Sequence, residues 1–302
     1  MTGNPQRGSS TNDTMVVHRA PSFLSAFATL LVVANEVLRD PRLRAVQWRD
    51  LIQPTRRQTA HELLLGLPWL VGSLVCAQLA VTVHPVWLLA ALGLSFVFFL
   101  TGLRVVHNAY HAALGLPKWA DNTVIGILSV LMGWPLHAVK VNHLRHHRYC
   151  MGPGDLEALS ARLKGWQAIA IGPLFPPLLL IAGLRHGGRT ERLWILAEGA
   201  AITGLIGLAL SADLPWLRYH IAAMLLGEAL TAFFAVWTVH HDCDADGVLA
   251  RTQDSWVKNA LTWHMFLHLE HHLFPAVPTC NLDQLAARVE AAAPDLRVKK
   301  VF

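Results

Sequence analysis

Eight of the seventeen histidines in this chain stand in three short clusters: His107-Asn108-Ala109-Tyr110-His111, His143-Leu144-Arg145-His146-His147 and His268-Leu269-Glu270-His271-His272. On a helix, residues three and four apart share a face, so each cluster offers a set of imidazoles pointing one way. Imidazole is a good ligand for iron, zinc and copper. One ordinary site takes three or four protein ligands, so eight clustered histidines call for two metals. A lone H-x-x-H-H is more often a polar helix face. Three copies, each beside an apolar run, point to a metal centre.

The elements that must position these clusters are apolar. Of 302 residues, 53% are hydrophobic and only 15% charged, a composition that describes an integral membrane protein and excludes an ordinary soluble domain. The formal net charge of +5 does not indicate a nucleic-acid partner, because the arginines sit beside spans and not along one soluble face. They fit the excess of basic residues found on cytoplasmic flanks. Cys76, Cys150, Cys243 and Cys280 form no C-x-x-C and no disulfide framework. The polar N-terminus lacks a signal-peptide layout; residues 1–20 are expected to be a disordered tail.

A spanning helix needs about 20 apolar residues. Phe23 to Leu38 is short and followed by arginines, which predicts a helix on the cytoplasmic surface within an interfacial segment, 21–62. Leu63 to Val83 and Val86 to Val106 make a first hairpin around His84-Pro85, and Leu193 to Leu210 with Trp216 to Val239 make a second. Small residues at Gly72, Cys76 and Ala80, and at Gly199, Thr203 and Gly207, predict close helix contacts. Val124 to Leu136 is too short to cross. Ile169 to Leu184 is broken by Gly172-Pro173 and Pro176-Pro177, which preclude a regular helix, so both are assigned to the interface. The expected fold is an all-α integral membrane protein: four transmembrane helices in two hairpins under a cytoplasmic, histidine-rich di-metal cap. A bacterial inner membrane is the expected location.

Each span of the second hairpin carries an acid, Glu198 or Glu228, fifteen residues from Asp213 and so at one depth. Ionisable groups inside a span are costly and functional by default: these two share a proton, meet the substrate or a histidine cluster, or are simply hydrogen-bonded across the pair. His240-His241 follows the fourth span directly and offers a ninth imidazole, with His241 the preferred candidate and a solvated interfacial pair the bland reading. Ligating histidines donate their second N–H to a carboxylate or carbonyl. Asp155, Glu157 and Glu270 are the acids nearest the clusters, Asp155 first; Asp242, Asp244 and Asp246 follow the fourth span. His137 and His264 break the spacing and are expected to be supporting or structural.

The set His107-x3-His111, His143-x2-His146-His147 and His268-x2-His271-His272 resembles the membrane fatty acid desaturase family. The run from His268 to Pro278 is similar to the third histidine box of its acyl-lipid and sphingolipid branches, and Gly154-Asp155-Leu156-Glu157 resembles the acidic stretch after the second box, with Leu156 where proline is common. The likeness covers roughly 63–285 and makes 63–302 a desaturase-like membrane domain. It implies a non-haem centre of two iron ions that uses O2 and two electrons to remove hydrogens from a lipid or acyl chain. It makes His107, His111, His143, His146, His147, His268, His271 and His272 iron ligands, and it puts His241 in a further ligand place with His240 where an acid or amide is usual. No haem or flavin fingerprint appears, so electrons are expected from a separate donor such as ferredoxin, docking at Lys140, Arg145 and Arg148. A hydroxylase or ketolase of a lipid, alkane or carotenoid fits the same ligands. A metal transporter would line its spans with histidines, and a zinc hydrolase would not need eight.

Overall fold

The structure is a computed structural model and describes Met1 and residues 37–243 and 248–302. The expected tail at 1–20, nearly all of Phe23 to Leu38, and the acids Asp244 and Asp246 lie outside the described residues.

Four helices are long and apolar enough to cross a membrane: Arg56–Thr82, Trp87–Tyr110, Arg189–Ser211 and Pro215–His240. The first is built from α1 (Arg56–Leu64) and α2 (Leu67–Thr82). It starts at a capping box in which the Gln58 N–H donates to Thr55 Oγ1 (3.3 Å) and the Thr55 N–H to Gln58 Oε1 (2.8 Å). α3 (Trp87–Tyr110) returns beside it. Among its buried residues, Ala91, Ser95, Phe98, Phe99, Gly102, Val105, Val106 and Ala109 follow one stripe of the helix, and toward the histidine end Thr101, Arg104, Asn108 and Tyr110 are buried as well. Half of the apolar window of α3 is buried, against 17–28% for the other three spans. α3 is therefore the central helix, and the others give most of their surface to the bilayer.

Between the hairpins, α4 (Lys118–Met132) and α5 (Leu136–Tyr149) meet at 117°. Gly133, at φ +74°, closes α4 in the left-handed conformation, which costs glycine no Cβ clash. Short helices follow, α6 (Gly165–Ala170) and α7 (Phe175–His186). Here the expectation from the prolines is corrected. Pro176 and Pro177 stand in the first turn of α7, where a missing N–H leaves no bond unmade, so they begin a regular helix instead of breaking one. Gly172, just before it, lies so close to the last span that a Cβ would sit 1.7 Å from the Ala229 carbonyl oxygen.

α8 (Arg189–Ser211) and α9 (Pro215–Thr231) form the second hairpin. Past Thr231 the last span continues through a π-helical turn, Ala232–Trp237, and a final α turn, Thr238–His240. The small residues of the two hairpins behave differently. On the first hairpin Cys76 is buried and a Cβ on Gly72 would touch Leu94 at 3.2 Å. A Cβ on Gly199 or Gly207 of α8 would meet nothing within 4 Å among the described residues, so the expected contact face of the third span is open.

The C-terminal cap carries α10 (Trp256–Leu261), α11 (His268–Leu273) and α12 (Leu282–Ala292). α12 buries Leu282, Leu285, Ala286 and Val289, the i, i+3, i+4, i+7 stripe of an amphipathic helix. No strand occurs among the described residues; a single bridge joins Thr252 to Lys300.

Candidate metal centre

Spans two and four end at the same mouth, α3 at His107 and Tyr110 and the last span at His240. α5 lies across that mouth and α11 descends onto it from the cap. Nine imidazoles meet there in two groups, His107, His111, His143, His147 and His271 in one and His146, His240, His268 and His272 in the other. Within each group the candidate ligand nitrogens all lie within 4.8 Å of one another.

The Nε2 atoms point at each other. In the first group His143 and His111 approach to 3.0 Å, His147 and His143 to 3.2 Å, and His271 and His147 to 2.9 Å. In the second, His146 meets His240 at 3.0 Å and His272 at 3.3 Å, and His268 meets His240 at 2.9 Å and His272 at 3.2 Å. His107 Nε2 is buried and has no hydrogen-bond partner among the described residues.

Such convergence needs something between the nitrogens. His146 directs Nδ1 to Asp155 Oδ2 (2.8 Å), His143 to Glu157 Oε1 (2.9 Å) and His240 to the Leu249 carbonyl (3.1 Å). An imidazole that donates from Nδ1 and is neutral carries a lone pair on Nε2. Lone pairs facing one another at such distances repel unless a cation lies between them. Four nitrogens at bond lengths of about 2.0–2.1 Å from one ion, as in tetrahedral zinc sites, stand about 3.3 Å apart, close to the spacing seen. The residues present therefore fit a metal ion in each group.

The electrostatics favour neutral ligands. Burial pushes the imidazoles of His147, His268, His271 and His272 well below the usual histidine range, and neighbouring histidines push the same way. His146 is the exception. Burial lowers it too, but the adjacent Asp155 outweighs burial and leaves it raised. Burial would raise the Asp155 carboxyl; His146 and the N–H groups of Ala158 (3.1 Å) and Met151 (2.8 Å) hold it below the usual range instead. Met151 itself is at φ +62°, a left-handed turn pinned by this carboxylate.

Asp155 and Glu157 thus stand behind histidines of different groups. Glu270 does not. Its carboxylate is fully buried, but it accepts from Thr252 Oγ1 (2.7 Å) and Arg297 Nε (2.6 Å). It fastens the cap to itself, because on the short helix α11 it faces away from the imidazoles on either side. Asp242 forms an exposed pair with Arg251 at 3.6 Å.

Of the pair after the fourth span, the structure brings His240 to the centre and turns His241 away. His241 stacks on Trp237 (centroids 3.9 Å apart, 5° between planes) and directs Nδ1 to the Trp237 carbonyl at 2.7 Å. The helix ends at His240, and His241 follows it with extended backbone (ψ 139°), so its ring leaves the face that His240 keeps.

Glu198 is buried on α8 and takes the His137 N–H at 3.2 Å and His137 Nδ1 in a very short contact. It joins the third span to α5, and His137 also stacks on Trp194 at 5.0 Å. Glu228 is buried, and its Oε1 has no hydrogen-bond partner among the described residues. His264 lies outside both groups.

The sequence reading overlooked a buried network beneath the first box. Arg104, inside the second span, pairs with Glu62 and donates to the Trp263 carbonyl. Asn108 donates to Thr279 Oγ1 (2.8 Å) and accepts from the Thr279 N–H (3.0 Å). These contacts lock the cap that carries the third box to the helix that carries the first. The signal was present: an arginine and a glutamate at the ends of apolar spans are as costly as Glu198 and Glu228.

A cavity of ≈ 330 Å³ opens beside the histidines. It is lined on α3 by Phe96, Leu100, Leu103, Val106, His107 and Tyr110, on the last span by Phe234, Ala235 and Val239, and by Leu261, Thr262, Met265 and Phe266 of the cap. Phe96 and His107 are eleven positions apart, or ~16 Å along the helix. The cavity is thus an apolar slot running from the histidine groups into the membrane-spanning region.

Residues 83–301 match the fatty acid desaturase family. The chain belongs to the fatty acid desaturase family. Among similar proteins are a sphingolipid delta(4)-desaturase/C4-monooxygenase of Bos taurus (28% identical, covering 72% of each chain) and an sn-1 oleoyl-lipid 12-desaturase of Picosynechococcus sp. (22%, 68% of each). A beta-carotene ketolase of Paracoccus sp. is 25% identical over 73% of this chain and 92% of its own. The protein is accordingly a membrane oxidoreductase of the lipid desaturase, hydroxylase or ketolase type.

Proposed function

We propose that each histidine group holds one iron ion and that the protein uses O2 and two external electrons to introduce a double bond into a fatty acyl chain lying in the apolar slot. The observation that carries this reading is the convergence of nine imidazoles, in two groups, against a slot shaped for a chain. Iron held by His107, His111, His143, His147 and His271, and by His146, His240, His268 and His272, would supply the O2-activating oxidation of an unreactive C–H bond.

The chain's own residues supply the rest. Leu100, Leu103, Val106 and Val239 enclose a methylene chain and exclude water from the reacting carbon. His107, His143 and His268 line the slot, so the C–H bond to be broken lies beside both groups. Asp155 and Glu157 hold His146 and His143 in fixed orientation through Nδ1, leaving Nε2 free to ligate.

The alternative outcome, insertion of oxygen, is supported by the relatives whose names include a C4-monooxygenase and a ketolase. Mass analysis of lipids from cells expressing the protein decides between them: loss of two hydrogens supports desaturation, and gain of one oxygen supports hydroxylation. No change in any lipid, from a metal-loaded protein supplied with reductant, overturns the oxidative reading.

The centre is read as cytoplasmic, since Arg56, Arg57, Arg189 and Arg192 flank the histidine-bearing ends of the spans. An acidic one-electron carrier such as ferredoxin would dock on Arg145 and Arg148. Both cap the face of Tyr149, at 5.1 and 5.5 Å, on the helix that carries His146 and His147. Lys140 departs from this set: its ammonium is half-buried and donates to Asn122 Oδ1 at 2.9 Å. Reversing both arginine charges should slow turnover and flatten its salt dependence; unchanged values would exclude this face.

A further inference from the structure

The slot beside the histidines is apolar except at one place. Tyr110, 7% exposed, and Glu157, from the segment after the second box, both line it. The Tyr110 hydroxyl and Glu157 Oε2 are each buried and have no hydrogen-bond partner among the described residues. Both residues flank one imidazole: the Tyr110 ring lies 5.8 Å from the His143 ring, and Glu157 accepts from His143 Nδ1 at 2.9 Å through its other oxygen. The other hydroxyl on the wall, that of Thr262, is occupied by the Lys258 carbonyl at 2.8 Å.

A buried polar atom without a partner is costly. Two of them on one wall, beside a histidine that faces the reacting carbon, are an incomplete set of hydrogen bonds. What completes the set is defined by chemistry. The phenol can donate, and the carboxylate oxygen can only accept. A single oxygen that accepts from the first and donates to the second is a hydroxyl, of an alcohol or of water. An ester, thioester or ketone oxygen cannot donate to Glu157, and a bare hydrocarbon satisfies neither.

We propose that Tyr110 and Glu157 form a polar subsite that takes a hydroxyl group of the substrate next to the carbon oxidised at His143, so that the preferred substrate is a hydroxyl-bearing long-chain lipid. This rests on the reading of the slot as the substrate site and names the class of chain it selects. Tyr110 is the specificity-determining residue. Glu157 also holds His143, so its substitution would not separate the two roles.

The test compares a saturated long-chain N-acyl amino diol with the analogue lacking the hydroxyl on the chain. Equilibrium binding to the purified protein is measured first, then kcat and KM. The wild type should bind the hydroxylated lipid about ten-fold more tightly, the worth of one to two hydrogen bonds. Tyr110→Phe should erase that ratio through KM and leave the deoxy analogue unchanged. Equal binding of the two lipids by the wild type overturns the proposal and leaves a buried water as the partner of these oxygens. An equal loss for both lipids in Tyr110→Phe also overturns it and makes Tyr110 a packing residue. A ten-fold binding preference without product formation would keep the subsite and sink only the oxidative reading.

Discussion

The two histidine groups differ in burial and in how they are anchored. In the four-histidine group every member is buried, whereas His107, His111 and His147 of the five-histidine group are only partly so. The buried group is tied to the protein at each side: His146 to Asp155, His240 to the Leu249 carbonyl, and His272 beside Cys150 Sγ at 4.0 Å. The more open group borders the slot through His107 and His143 and has one acid behind it, Glu157. The contrast points to a division of labour. The buried group is the more firmly anchored half and borders the slot only through His268, whereas the open group borders it at two histidines.

The strongest way to break this comparison is to remove one ligand from each half. His240→Ala should abolish metal in the buried group and all product formation, while His111→Ala should leave the buried group loaded; metal analysis of the two purified variants checks it. Next in size are the acids behind the ligands. Asp155→Ala removes the partner of His146 and frees two backbone N–H groups, so metal affinity should fall toward the upper end of about 10–100-fold. Glu157→Gln should fall toward the lower end, as read by chelator competition.

Glu270→Ala sharpens the comparison by uncoupling stability from ligation. Removing one partner of a buried ion pair costs about 3–5 kcal/mol, so Tm should drop markedly, while the folded fraction keeps both metals because Glu270 touches no imidazole. The smallest effect belongs to His241→Ala. It loses a stack worth about 1 kcal/mol and should retain full metal content and turnover.

How much of this was legible in the sequence depends on the kind of signal. Hydropathy located the four spans, because crossing a bilayer demands long apolar runs, and histidine spacing located eight of the nine clustered imidazoles. Of the pair offered for the ninth, His241 was preferred because the likeness to the family puts it in the ligand place; the helix ends at His240, and the ring of His241 leaves that face. Pro176 and Pro177 misled because a proline's effect depends on its place in the helix, and the sequence does not show where α7 begins. Glu270 was assigned to the centre by its position inside the third box. Only the fold shows Arg297 arriving from the C-terminus to claim it. The Arg104–Glu62 pair joins residues 42 positions apart, a long-range contact with no local pattern.

The central claim is that two separate histidine groups each hold an iron ion. The most direct measurement is metal content, by element-resolved mass spectrometry, of protein purified from iron-replete cells beside His240→Ala and His147→Ala. The account predicts two irons per chain in the wild type, one for each group, and loss from both variants. Zinc in place of iron, or two irons retained in either variant, would contradict it.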